Sequence, residues 1–145
     1  MKSLIEKIKS EKGAAMVEFA IVLPLLLMLV FGMIEFSIMF YDKAVITNAS
    51  REGARAGIVY SYPNRITDGE IEATVVNYVS DKLITFSATP PSAEDLTTVT
   101  GQCSNAGDVV TVTVTYPYEF LVLPNFITTL TGSIDLSAVT VMRCE

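Results

Sequence analysis

A run of sixteen residues without a charge, Phe19–Ile34, constrains this chain more than any other feature of its sequence. The run reads FAIVLPLLLMLVFGMI, and as an α-helix rising about 1.5 Å per residue it covers about 24 Å. Apolar flanking residues extend the helix back to Ala14 and on to Tyr41, which exceeds the roughly 30 Å hydrocarbon core of a bilayer. The sequence therefore predicts one transmembrane helix over residues 14–41, in contact with membrane lipid.

The charges on the two sides of this run differ in sign. The leading segment, MKSLIEKIKSEKG, has four lysines and two glutamates, whereas residues 42–145 carry six basic and twelve acidic residues. Positive charge on a short flank is typical of the cytoplasmic side of a membrane protein. We therefore expect a single-pass protein with a cytoplasmic N-terminus and an exported C-terminal part. The acidic surplus of that part argues against a nucleic-acid partner, because phosphate binding needs clustered Lys and Arg.

A cleaved secretory signal peptide is the alternative explanation of the apolar run. Such peptides have an apolar region of about 7–15 residues, followed by a cleavage site of small residues. Here the run is longer and ends in SIMFYDKA, which matches such a site poorly. The sequence favours a retained helix, and a secreted domain released beyond Tyr41 stays open as the alternative.

Both cysteines of the chain, Cys103 and Cys144, lie in the exported part. An even number of cysteines in an oxidising compartment favours a disulfide, and two free buried thiols are the alternative. The bridge would close a loop of about 42 residues and add about 4 kcal/mol of stability in the chain-entropy model. We expect no metal site and no cofactor, because two isolated cysteines without any histidine cannot complete a tetrahedral site.

The stretch GAAMVEF places Glu18 at the start of the apolar helix, where a charge is costly. A basic leader that ends in Gly13, then four residues, Glu18 and the aromatic Phe19 together resemble the prepilin-peptidase site of type IV pilins. The resemblance implies cleavage after Gly13 by a prepilin peptidase, which makes Ala14 the new N-terminus. The alternative is that Glu18 only snorkels to the cytoplasmic interface.

The resemblance narrows to one family. The segments GAAMVEFAIVLPLLLMLVFGMIEF and ITNASREGARAG resemble the TadE-like family, pseudopilins of the tight-adherence (Tad) pilus system, and DVVTVTVTYPYEF and SIDLSAVTVM resemble it more loosely. The similarity is strong over 13–57 and loose over 108–143. It implies a minor pilin-like subunit of the bacterial inner membrane with a periplasmic domain, which takes part in assembly or initiation of a Tad/Flp type IV pilus for adhesion. Other pilins, pseudopilins and the Tad assembly machinery are its implied partners.

The resemblance also implies how the helix works. The freed ammonium of one subunit would pair with the Glu18 carboxylate of its neighbour, which offsets the desolvation of both charges and fixes the axial register. Pro24 removes one helical hydrogen bond and is expected to loosen or kink the helix. Glu35, about 25 Å further along the helix, is expected to mark the outer membrane face and to be solvated there. Contact of Glu35 with a positive group on another subunit is the alternative.

Beyond the membrane the helical pattern continues through DKAVITNASREGARAG. Small residues recur every four positions at Ala49, Gly53 and Gly57, so they line one stripe where another backbone can approach closely. Arg51 and Arg55 form a neighbouring cationic stripe. The small residues are expected to pack on the sheet of this chain, with packing between subunits as the alternative.

The remaining sequence predicts a small exported α+β domain. Thr67 and Glu70 form a capping box, and a helix follows whose apolar residues recur every four positions. The alternating VVTVTVTY over Val109–Tyr116 predicts a strand, Leu96–Thr100 a short one, and Leu136 to Val141 a last one before Cys144. The apolar stretch EFLVLPNFITTLTG at 119–132 offers lipid or subunit contact. The long loop from Thr85 to Asp108 and the cysteine pair depart from simpler family members.

The predicted organisation is a leader at 1–13, a transmembrane helix at 14–41, its exported extension at 42–57 and an α+β domain at 58–145. The fold class is α+β, with one further helix and a short antiparallel sheet. We expect no enzymatic activity, because the chain has no histidine, no Gly-rich phosphate loop and no nucleophile elbow. The main alternative function is an uncleaved bitopic membrane protein whose periplasmic domain binds a ligand or partner.

Overall fold

The computed structural model describes residues 2–59, 65–85, 96–101, 103–120 and 134–144, with side chains from Gly13 onward. A long N-terminal helix, one further helix and a three-stranded antiparallel sheet make up this part of the chain, which confirms the predicted α+β class. In chain order the elements are α1 Lys2–Ile58, α2 Asp68–Ser80, β1 Thr97–Thr100, β2 Val109–Tyr118 and β3 Ile134–Arg143.

Helix α1 spans 57 residues, and Pro24 lies inside it without interrupting it. The exposure of its side chains to solvent changes at Glu35. From Gly13 to Ile34 nearly every side chain is exposed, whereas from Glu35 onward one face of the helix is buried against the rest of the chain. Helix α1 is therefore both the apolar N-terminal segment and the central support of the C-terminal domain.

Helix α2 begins at the capping box that the sequence predicts. The Glu70 carboxylate accepts the Thr67 backbone N–H at 2.8 Å and the Thr67 hydroxyl at 2.9 Å, so the first turn is closed by its own side chains. The predicted apolar stripe, Ile71, Val75, Val79 and Leu83, is confirmed for its first three residues, which are buried. Leu83 lies beyond the end of α2 and is partly buried against the core. This stripe places α2 against α1.

The sheet has the order β1-β2-β3, with β2 in the centre. Val112 pairs with Val99 of β1 and with Thr140 of β3. Side chains alternate along β2 because successive residues of a strand point to opposite faces. The valines and tyrosines at even positions are buried, and the threonines at odd positions lie on the outer face. The predicted strand over 109–116 is confirmed and extends two residues further.

The core lies where α1, α2 and the inner face of the sheet meet. Its fully buried members include Ile46, Val75, Val112, Val114 and Tyr118. The two glycines of the predicted small stripe allow this meeting: a Cβ on Gly53 would lie 2.6 Å from Val75 Cγ2, and one on Gly57 would lie 2.8 Å from Ile71 Cδ1. A Cβ at either position would force its neighbour to shift, and the shift is harder at Gly53, where the stiff Val75 side chain is met, than at Gly57, where the flexible end of Ile71 is met. The absence of a side chain at Gly53 therefore favours the close approach of α1 and α2.

We expect Gly53→Val to lower the free energy of unfolding by about 2–3 kcal/mol, because overpacking a filled core forces neighbouring side chains and backbone to shift. The added side chain would meet Val75 first, and Val112 and Ile71 lie 3.4 and 3.5 Å from its Cβ position. Denaturant unfolding of the full chain in detergent measures the effect. The matched control is Gly69→Val in α2, where nothing lies within 4 Å of the added Cβ. Equal stability of the two variants would contradict the close approach of the helices.

One predicted region is outside this description. The apolar stretch at 119–132 is described only at Glu119 and Phe120, where the Phe120 ring meets the Tyr118 ring edge-on, with centroids 6.1 Å apart. Residues 121–132 lie outside the described residues, so their predicted lipid or subunit contact stays a prediction.

Candidate interaction surface of the N-terminal helix

The lower part of α1 is an apolar helix that no described element covers. Exposed fractions reach 74% at Met16, 70% at Ile21 and 71% at Leu25. In the described residues α1 is the one helix that is long and apolar enough to cross a membrane. From Gly13 to Ile34 its length is about 33 Å, close to the roughly 30 Å of a hydrocarbon core. These properties fit a single-pass membrane protein.

The residues predicted to form the cleavage site and to set the axial register between subunits lie on this exposed segment. Gly13, Ala14, Glu18 and Phe19 are all exposed, and a Cβ on Gly13 would meet nothing within 4 Å. Among the described residues none forms an ion pair or hydrogen bond with the Glu18 side chain. The described part of the chain therefore supplies no partner for this carboxylate on an apolar helix. Cleavage after Gly13 stays a prediction.

Glu35 lies in a different environment from the one that the sequence suggested. It is 2% exposed, and its Oε1 accepts the Tyr118 hydroxyl at 2.5 Å. The expectation of a solvated Glu35 is wrong, because β2 brings Tyr118 onto the helix from 83 residues away. Burial first, and then the hydrogen bond to Glu35, raise the pKa of Tyr118, so the phenol stays protonated and remains a donor. The C-terminal domain thus contacts α1 as far toward its N-terminus as Glu35.

Asp42, two turns further along, is a second buried carboxylate on the same face. It is fully buried, and its Oδ1 accepts the Ile84 backbone N–H at 3.0 Å. Its Oδ2 is also buried, and no described residue forms a hydrogen bond with it. Burial raises the pKa of Asp42, and the hydrogen bond from Ile84 opposes that rise. The hydrogen bond from Ile84 to Asp42 therefore links the segment after α2 to α1. Burial of the carboxyl group, whose Oδ2 has no described hydrogen-bond partner, opposes folding.

We expect Asp42→Asn to stabilise the protein at pH 7. Asparagine keeps an oxygen that accepts the Ile84 N–H and removes the charge that burial disfavours. Because the folded-state pKa of Asp42 lies above its unfolded value of about 3.9, the wild-type protein loses stability as pH rises through the folded pKa. The advantage of the variant should therefore shrink as pH falls toward 4.

Denaturant unfolding of the full chain at several pH values between 4 and 7 checks this expectation. The exposed Asp81 provides the matched control, Asp81→Asn, which should change stability little. An Asp42→Asn protein that is less stable than wild type at pH 7 would show that Asp42 has a stabilising charged partner.

The small residues of α1 pack within this chain. Ala49, Gly53 and Gly57 are buried, and the two glycines face Val75 and Ile71 of α2 and valines of β2. The expected packing on the sheet is therefore shared between the sheet and α2. Arg51 and Arg55 lie on the opposite, exposed face of the helix.

The predicted disulfide between Cys103 and Cys144 is present, with a Cα–Cα distance of 5.5 Å. It joins the loop between β1 and β2 to the residue that follows β3. Hydrogen bonds reinforce this corner, since Cys144 N–H donates to the Asp108 carbonyl at 2.8 Å and Gly107 N–H donates to the Cys144 carbonyl at 3.0 Å. The bridge closes the end of the sheet that lies away from Glu35.

Helical spacing in the sequence contained a signal for the two buried carboxylates. Glu35, Asp42 and Ala49 are seven residues apart and so lie on one face, the face that Gly53 continues. Their burial follows once that face is known to pack on the domain. No comparable signal identified Tyr118 or Ile84 as their partners, because those contacts depend on the tertiary fold.

Comparison with known proteins finds a family similarity that lies within α1. No curated protein and no solved structure gives a significant match to this chain. A family model described as TadE-like protein matches residues 13–55. The matched range begins at the predicted cleavage site, contains Glu18, Glu35 and Asp42, and ends at Arg55. The predicted resemblance is confirmed over this range: residues 13–55, which form most of α1, are similar to the TadE-like family.

Proposed function

We propose that this chain is a TadE-type minor pseudopilin that takes part in assembly or initiation of a Tad/Flp type IV pilus for adhesion. One observation carries the proposal: the TadE-like match includes an exposed apolar helical segment whose Glu18 carboxylate has no partner among the described residues. The protein acts by lateral packing of this helix with other pilin-like subunits, and it performs no chemistry of its own.

The proposed mechanism starts with removal of the leader. A prepilin peptidase cuts after Gly13 on the cytoplasmic side, and the new ammonium at Ala14 then lies at the start of the apolar helix. This ammonium pairs with Glu18 of a neighbouring subunit in the membrane. Ala14 and Glu18 are about 6 Å apart along a helix, so the pair sets a stagger of that size between neighbours.

Charge makes this contact specific. Apolar helices gain little from each other in a bilayer, because lipid tails are as apolar as leucine side chains. An unpaired carboxylate in the same environment costs roughly 2.5–3.5 kcal/mol, so any neighbour that supplies a cation is strongly preferred. The lysine-rich leader supports the orientation with its N-terminus in the cytoplasm and its domain in the periplasm.

We expect Gly13→Leu to block processing and leave a membrane-bound precursor thirteen residues longer than the mature chain. A peptidase must draw the backbone into its site, and glycine presents no Cβ to obstruct the approach. Immunoblots of membranes from cells with an active prepilin peptidase show the two lengths. Ser10→Leu, the same bulky residue placed within the leader, is the matched control and should be processed.

The same strains test the function. Cells that make only the Gly13→Leu chain should lose Tad-type pili, while Ser10→Leu cells should keep them. A Gly13→Leu chain that is processed normally, or that stays uncleaved in cells with a full complement of pili, would favour the bitopic binding protein instead.

A further inference from the structure

The second half of α1 has a further face that is exposed and that no described element covers. Six residues spaced alternately by four and three positions share it, and all six are exposed. This outer seam consists of Ser37, Tyr41, Ala44, Asn48, Arg51 and Arg55. It lies on the side of the helix opposite Asp42, Ala49 and Gly53, which pack on the domain.

The spacing of the outer seam is that of a helix which packs lengthwise against another helix. Residues that alternate by four and three positions face one partner over several turns at a crossing angle near 20°. Small residues at Ala44 and at Ser37 permit close approach of a second backbone. The seam is also continuous with the exposed apolar surface below Glu35, so a helix that packs on the membrane segment can continue along it.

Charge selects the partner. Arg51 and Arg55 form no ion pair or hydrogen bond with any described residue, and the adjacent Glu52 is also exposed. A second copy would have to run parallel, because both helices cross the same membrane in the same direction. In register, such a pair would bring four guanidinium groups against two carboxylates, and like charges face to face oppose association.

We propose that the outer seam docks a parallel helix from a different pilin-like subunit, one that carries Asp or Glu at the level of Arg51 and Arg55. That level is about 24–30 Å beyond Glu35 along the helix, so the partner must also have an exported helical extension. Arginine–carboxylate pairs at this level contribute more to the specificity of binding than to its affinity. The inference rests on the proposed function and names the kind of partner that the same helix takes.

Photocrosslinking in pilus-producing cells tests the partner. A benzophenone amino acid replaces Asn48 in the full chain, and the matched control carries it at the exposed Ala73 of α2. We expect an adduct from position 48 whose crosslinked peptide belongs to another pilin-like helix with Asp or Glu within one turn of the level of Arg51 and Arg55. The combined change Arg51→Glu and Arg55→Glu should reduce that adduct roughly tenfold or more, whereas Arg51→Lys with Arg55→Lys should keep it.

A charge exchange completes the experiment. Replacing the partner's acidic residue by Arg should restore the adduct of the Arg51→Glu, Arg55→Glu chain. An adduct between two copies of this chain, an adduct that ignores charge reversal, or no adduct above the Ala73 control would each overturn the inference. Formation of the Cys103–Cys144 disulfide in every variant shows that the exported domain has folded.

The seam and the function can fail separately. If charge reversal changes neither adduct nor pili while Glu18→Gln removes the pili, the seam inference fails and the proposed function stands. If Gly13→Leu stays uncleaved in cells that keep their pili, the proposed function fails, and the seam inference fails with it because it rests on that function.

Discussion

Glu18→Gln is expected to leave the chain anchored in the membrane and cleaved at Gly13, yet to lower its incorporation into the pilus assembly by about tenfold to a hundredfold. Glutamine removes the charge that attracts a cationic neighbour. An unpartnered carboxylate costs roughly 2.5–3.5 kcal/mol at the centre of a membrane helix, and Glu18 lies near the helix start, so we expect a loss of about 1.4–2.8 kcal/mol. The change keeps the size and helix propensity of the side chain, so the helix itself should be unaffected. Counts of Tad-type pili and subunit crosslinking within the membrane measure the result.

The choice of control follows from the position of each carboxylate. Glu18→Asp keeps the charge at the same height and should retain most pili. Glu35→Gln is not a neutral comparison, because Glu35 is buried and accepts the Tyr118 hydroxyl, so its loss should weaken domain docking. Normal pilus counts and normal crosslinking in the Glu18→Gln strain would show that Glu18 only snorkels to the interface.

Loss of the disulfide is expected to have the largest effect on stability. Replacing Cys103 and Cys144 together by alanine should lower the unfolding free energy by about 4 kcal/mol, the chain-entropy value for a loop of this length. For a domain of about 100 residues that corresponds to a drop in Tm of roughly 15 °C or more. Thermal unfolding of the full chain in detergent, followed by circular dichroism, measures the shift.

Reductant provides the internal check on this result. Wild-type protein should fall to the stability of the double variant when reduced, and the double variant should not respond. Protein isolated without reductant should resist alkylation at both positions. Ready alkylation of Cys103 and Cys144 in such protein would contradict the bridge and return the alternative of two free thiols.

Elements with strong local patterns could be predicted from the sequence. Alternation of valine and threonine over Val109–Tyr116 identified β2, and the capping box at Thr67 located the start of α2. Both signals are local, since the period of a strand and the geometry of a helix start depend on neighbouring residues. The disulfide followed from the number of cysteines and their expected compartment, again without knowledge of the fold.

Tertiary contacts could not be predicted in the same way. Glu35 looked like a solvated boundary residue because nothing near it in sequence reveals the Tyr118 hydroxyl. The buried Asp42 drew no prediction at all, since its partner is the backbone N–H of Ile84. Such contacts depend on how β2 and the segment after α2 are placed on α1, and that placement follows from the packing of the whole core.

The candidate functional residues were identified in two different ways. Gly13, Ala14 and Glu18 were identified by resemblance, and the fold leaves them on an uncovered helix without assigning them a contact. Arg51 was visible as part of a cationic stripe, but only the burial of the opposite face shows that this stripe belongs to an unused surface. These residues, which are proposed to act between chains, are therefore exposed in the structure and make no described contact with the rest of the chain.

N-terminal sequencing of the wild-type protein from membranes of pilus-producing cells tests the central claim most directly. A pilin-like subunit processed by a prepilin peptidase should begin at Ala14, with Glu18 as its fifth residue. A sequence that begins at Met1 would contradict the account and indicate an uncleaved bitopic protein, and one that begins beyond Tyr41 would indicate a secreted domain.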